Sequence, residues 1–245
     1  CTSLVTVTSG TYLSVIGDYA FAGSEDLTSV SFPASLRKLG ESVFYYRVSS
    51  SEIYKCAKLA SATFATGSLL EYLPAATFAE TALVTFEVPE TVKTMGDGAY
   101  NPNGSVKTPG VFYNAKKLTT ITFADNSTCQ NIGIGAFDGC TALANVTIAP
   151  SVVNISEKAF MGCTKLVSIT IPDTVANLGA YAFKGCTALA NVTLQTKATE
   201  LPEGLFDGCK KLTTITLPAN VTALGANCFN GTALAEFKVA ENNTH

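Results

Sequence analysis

A solenoid of short stacked coils, walled by one parallel sheet, is the fold this sequence predicts, and two observations predict it. First, one pattern returns every 23 residues between Ala136 and Phe229. Ala136-Phe137-Asp138-Gly139-Cys140 is followed by Ala159-Phe160-Met161-Gly162-Cys163, and the line starts again at Ala182-Phe183 and Leu205-Phe206. Self-similarity at such a period is the mark of a stacked repeat. Second, each copy carries an alternating run such as Leu212-Thr213-Thr214-Ile215-Thr216-Leu217 closed by Pro218. Alternation rich in Val, Ile and Thr reads as a strand buried on one face.

The elements follow in chain order. Cys1-Thr2-Ser3-Leu4-Val5-Thr6-Val7 matches the run from Cys140 to Val146 slot for slot, so the chain opens inside a coil. The aromatic slot of each coil is read at Phe21, Phe44, Phe78, Tyr100, Phe137, Phe160, Phe183, Phe206 and Phe229, with the register recovered at Phe112. After that slot comes the strand. Pro33, Pro89, Pro172 and Pro218 stand where it must stop, because proline has no ladder donor. A second short apolar pair follows, as at Val175 and Leu178 or Val221 and Leu224, usually with Gly next. A single helical turn is then expected to plant the Ala-Phe pair inward. Phe137, Phe160, Phe183, Phe206 and Phe229 are thus candidate core, and a buried Phe→Ala change should cost about 3–5 kcal/mol.

Two places break the period. Phe44 to Phe78 spans 34 residues, and Tyr100 to Phe112 adds 12 more. The extra residues are read as 45–55 and 101–111, both leaving the coil just after the aromatic slot. Their bases then lie two coils apart, about 10 Å by strand spacing.

The Ala-Phe-x-Gly-Cys-x-x-Leu-x-x-Ile-x-Ile-Pro runs resemble the leucine-rich repeats, and closely the 23-residue class of BspA-like surface proteins. The match is specific over 112–239 and eroded over 1–111. The resemblance implies a curved solenoid with a parallel concave sheet and one short strand or helical turn per coil on the convex side. It also implies a place on a cell surface or outside the cell, and binding of host or matrix molecules. We expect one array over 1–245, of nine to ten coils and about 45–50 Å long. No polar cap, initiator Met or signal peptide is seen, so a processed or excised piece of a longer chain is expected; a lipid-bearing Cys1 of a bacterial lipoprotein is the alternative. The closing run from Val239 to Thr244 looks like entry into a further repeat.

Chemistry is sparse. Six of the eight cysteines, including Cys140, Cys163, Cys186 and Cys209, fall three residues before the strand Leu, where other coils hold Ser24 or Ala115. Cys129 and Cys228 also replace small core residues, so buried free thiols are expected. Without C-x-x-C pairs or a nearby His, zinc fits poorly. The one His, His245, leaves no Ser-His-Asp or Cys-His constellation. After Gly133-Ile134-Gly135 the third glycine of a dinucleotide fingerprint falls at the wrong spacing, and the segment reads as the repeat corner. A net charge of -3 offers no field for nucleic acid, and no 18-residue apolar run exists to span a membrane. No cofactor, metal or catalytic residue is assigned. Asn-x-Ser/Thr sequons, from Asn103 to Asn242, arise readily in a Thr-rich repeat.

Two surfaces remain as binding candidates. The outward strand positions, including Thr120, Thr122, Asn145 and Thr147, stack into ladders of hydroxyl and amide groups. The insertions concentrate Tyr45, Tyr46, Arg47, Tyr54 and Lys55, residue types enriched at interface hot spots, with Asn101, Asn103, Lys107 and Tyr113 flanking the same edge. The expected function is non-catalytic, adhesin-like recognition of a protein or glycan, with a passive spacer as the alternative.

Overall fold

The computed structural model describes residues 1–49 and 51–240. Ser50 and everything from residue 241 on, with His245 and the Asn242 sequon, lie outside the described residues.

Each coil contributes two short parallel strands. Ten first strands begin at Thr6, Ser29, Ser61, Thr85, Thr120, Asn145, Ser168, Asn191, Thr214 and Glu236. Nine two-residue second strands follow them, from Val15–Ile16 to Ala223–Leu224. Pairing is in register, as in Ser168↔Asn191 through Ile171↔Leu194. Alternation dictates the burial: in Thr214–Leu217 the two Thr face out while Ile215 and Leu217 are buried. One apolar core runs through all the coils.

The wall of first strands is interrupted. It forms sheets of three, three, two and two strands, with breaks after Ser61–Phe64, Asn145–Val146 and Asn191–Leu194. The more continuous column is the corner that carries the aromatic residue. There Phe78 N–H donates to Val111 O, Phe112 to Ala136 O, Phe137 to Ala159 O, Phe160 to Ala182 O, Phe183 to Leu205 O and Phe206 to Cys228 O, at 2.7 to 3.0 Å. The rings stack in parallel at the same rise. From Phe21 to Phe229 consecutive centroids lie 5.0 to 5.8 Å apart. Phe137, Phe160, Phe183 and Phe206 are fully buried, whereas Phe229 is only partly so, since a single further strand follows it.

Two expectations are corrected here. The turn before the aromatic slot is not helical, and the described residues contain no helix. A helix keeps its N–H groups inside one segment, but at this corner alternate ones are spent on the next coil. Asp138 and Cys140 close turns onto Gly135 and Phe137, while Gly135, Phe137 and Gly139 donate to Glu157, Ala159 and Met161. Two left-handed residues per corner, such as Gly135 at φ 61° and Gly139 at φ 75°, finish the exclusion.

Tyr100 is not an aromatic-slot residue either. Phe112 stacks between Phe78 and Phe137 and holds that place. The second insertion is therefore a hairpin of Ala99–Tyr100 with Val106–Thr108, lying before the aromatic slot. The first pairs Tyr45–Arg47 with Ile53–Lys55 and follows Phe44, as the sequence indicates.

Candidate functional site

The two hairpins leave the stack at the aromatic corner, in the Phe44 and Phe112 coils with one coil between them. In the first hairpin the pleat sends Tyr45 one way and Tyr46 the other. Tyr45 is buried on Ala76 and Ala79 of the next coil, with Ile53 and Tyr113 packed alongside. That burial, with the Glu80 carboxylate near, pushes its hydroxyl up to about 12. Tyr45 thus anchors the hairpin and is not available to a ligand, which corrects its place among the binding candidates.

Tyr46 faces out. Its ring meets Tyr19 edge-on at 4.7 Å and stacks on its cross-strand partner Tyr54 at 6.2 Å. Tyr54 lies over Gly23 of the preceding coil, a left-handed residue at φ 76°. All three rings are roughly two-fifths exposed; Arg47 is exposed too, but stands on the Tyr45 face of the strand, opposite Ile53. The Tyr54 hydroxyl donates to Glu52 at 2.8 Å, and that bond holds the phenol protonated above its usual range. Lys55 is paired with Glu80 of the next coil. Six of the residues expected to act together, Tyr45, Tyr46, Arg47, Tyr54, Lys55 and Tyr113, therefore share one edge. Tyr19 joins them although nothing in its own coil marks it.

The second hairpin is clamped to the coils that follow. The Tyr100 hydroxyl donates to Asp138 Oδ2 at 2.7 Å, and Lys158 Nζ sits 3.8 Å above its ring. Gly135 makes room, since a Cβ there would come within 2.5 Å of the Tyr100 oxygen. Burial raises the Asp138 carboxyl above its ordinary value, with Tyr100 and Lys158 opposing the shift. Asn101 and Asn103 serve the hairpin tip, where Asn101 Nδ2 donates to Ser105 Oγ and Asn103 Oδ1 accepts from Ser105 N–H and Oγ. Lys107 is exposed. The sheet candidates Thr120, Thr122 and Asn145 belong to the wall of first strands, away from this corner, whereas Thr147 falls just past the end of the two-residue strand Asn145–Val146 and is not a strand position.

Cys140, Cys163, Cys186 and Cys209 are fully buried free thiols. Each donates its S–H to the carbonyl of a Phe one coil back, as Cys140 to Phe112 at 3.0 Å and Cys186 to Phe160 at 3.2 Å. On the second strands, Asn131, Asn154 and Asn177 form an amide ladder, Asn177 Nδ2 donating to Asn154 Oδ1, Asn154 to Asn131, and Asn131 to Thr94. Sequence reasoning missed it, although the 23-residue spacing of those Asn was its signal. Among the described residues no three His, Cys, Asp or Glu side chains are grouped to hold a metal.

Comparison with known proteins agrees with this geometry. The chain matches the BspA-type leucine-rich repeat region, in six copies, over residues 1–107 and 108–236. Among solved structures it is similar to a Treponema pallidum leucine-rich repeat protein, TpLRR. That likeness has 23% identity and a TM-score of 0.57, covering 76% of this chain and 78% of that one. It is also similar to the pneumococcal vaccine antigen PcpA, with 20% identity and a TM-score of 0.54. There 94% of this chain is covered, and it spans 55% of that chain's length. These identities speak to fold alone. No curated protein gives a significant match. With matched repeats running from the first residue to residue 236 and a parallel coil for each, the chain belongs to the BspA-type leucine-rich repeat family.

Proposed function

We propose that this chain is a non-catalytic recognition module working at a cell surface or outside the cell, adhesin-like, with a protein or glycan as its ligand. The observation that carries the reading is the exposed Tyr19–Tyr46–Tyr54 cluster, fixed on a buried Tyr45 anchor, with Arg47 exposed on the other face of the same hairpin. Aromatic and Arg side chains on a rigid base are the composition of binding hot spots, because little conformational freedom is lost on contact. The corner carboxylates favour structure over catalysis. Glu80, Asp138 and Asp207 are engaged by Lys55, Tyr100 and Lys184 rather than paired in a cleft. The PcpA structure sharing the fold belongs to a vaccine antigen, in keeping with an exposed location.

The test is an array of matrix proteins and glycans probed with the intact chain and with Tyr46→Ala, Arg47→Ala and Tyr54→Ala. Hot-spot residues predict losses of about tenfold or more per variant with thermal unfolding unchanged. A passive spacer is the reading that takes over if every interaction survives removal of both hairpins together.

A further inference from the structure

The residue three places before each first strand follows a rule of its own. From the third coil onward it is Lys58, Lys117, Lys165 and Lys211 in alternate coils, and Ala82, Ala142, Ala188 and Ala233 in the coils between. Strand pairing within each sheet, and the aromatic stack that continues across the breaks between sheets, keep such positions in line from coil to coil. The lysines therefore recur every two strand spacings, about 10 Å, along a row of roughly 30 Å. All four are exposed. Lys58 is paired with Asp26, which holds the same position in the preceding coil and closes that end of the row. Lys117, Lys165 and Lys211 have no ion pair among the described residues. Lys116 and Lys210 double the charge at two of the four steps.

The ground beside the row is polar from Lys58 to Lys211, and its outward strand positions hold a single acid, Glu87, in the coil between Lys58 and Lys117. From Thr120 to Thr216 the outward strand positions are Thr, Ser or Asn. They share the doubled period: Thr120, Ser168 and Thr214 adjoin the lysine steps, Asn145 and Asn191 the alanine steps. Shallow depressions open on the row at both kinds of step. One is bounded by Thr141, Ala142, Ala144, Thr164 and Lys165, and another of about 200 Å³ by Ala82, Asn114, Lys116 and Lys117, with the Lys55–Glu80 ion pair on its far side. Solubility alone needs neither one sign of charge nor alanine in every second coil. In a chain of net charge -3 the row is a local positive stripe, the kind that gathers anions along its length.

The spacing selects the anion. Duplex DNA carries a charge every ~1.7 Å of its axis, far denser than one cation row per two coils. A sparse polyanion fits instead. We propose that the lysine row binds a linear acidic polysaccharide with one carboxylate or sulfate per disaccharide, laid along the solenoid axis. Its acidic groups sit on the lysines, and its hydroxyls meet the Thr, Ser and Asn side chains alongside. This surface meets the hairpin edge at the Lys55–Glu80 pair but does not rest on the reading of the tyrosine cluster there.

Hyaluronan oligosaccharides of graded length, titrated calorimetrically against the intact chain, test the proposal. Affinity should rise with length until the oligosaccharide spans the row, then level off, and should fall as salt is raised. Joint Lys117→Ala, Lys165→Ala and Lys211→Ala changes should lower affinity by about tenfold or more. Joint Lys38→Ala, Lys93→Ala and Lys197→Ala, the same charge change off the row, should not, and neither should Tyr46→Ala with Tyr54→Ala. Unchanged thermal unfolding of each variant excludes misfolding. No binding, equal losses in both lysine triples, a loss carried by the tyrosines, or equal affinity for single-stranded DNA of the same length would each overturn it.

Discussion

The cysteines show how a single slot is filled. A small side chain is required three residues after the aromatic ring, and Ser24 and Ala115 meet that need as well as Cys does. What the thiol adds is a donor for a Phe carbonyl one coil back. The slot and its burial are readable from the repeat. The bond is not, because it joins residues 26 to 35 positions apart whose distance only stacking sets. Burial pushes the Cys56 and Cys129 thiols up to about 11 and Cys228 to about 12. Thiols of the unfolded chain ionise near 9.0, so the folded state binds more protons above that pH. Stability is therefore full below pH 9 and falls as pH rises from there toward the folded values. Urea midpoints should hold steady from about pH 7 to 8.5 and drop above pH 9. In the native protein a thiol reagent should modify Cys1 alone, the one exposed cysteine, and reach the seven others only after unfolding.

At the scale of an element, the second hairpin explains where sequence reading lost its way. Tyr100 stands 22 residues after Phe78, almost one full period, so spacing alone admits it to the aromatic slot. Only contacts tell a stacked ring from a clamp, and they give the slot to Phe112 and tie Tyr100 to Asp138 and Lys158. The first hairpin was legible as an insertion, but the pleat that buries Tyr45 and frees Tyr46 was not, since both are tyrosines. Removing the Tyr100 hydroxyl leaves a buried carboxylate short of a donor. Tyr100→Phe should cost about 1–3 kcal/mol in urea unfolding, and Asp138→Asn added to it should recover part of that loss in a double-mutant cycle. Additive losses would show that the bond contributes nothing.

Over the whole molecule, each coil meets only its neighbours, so stability is near to a sum of coil and interface terms. Phe160, sealed between Phe137 and Phe183, should cost about 3–5 kcal/mol as Phe160→Ala, and partly buried Phe229 distinctly less as Phe229→Ala, both read from denaturant midpoints. The amino-acid pattern by itself determined the coil, its period, its inward residues and the places where insertions break it, because those follow from local alternation and spacing. The tertiary structure alone decided that the corner is a cross-bonded turn instead of a helix, that the strand wall splits into four sheets, and that lysines far apart in the chain form one row. Each of these depends on which N–H groups and side chains meet across coils, and that is fixed only when the coils stack.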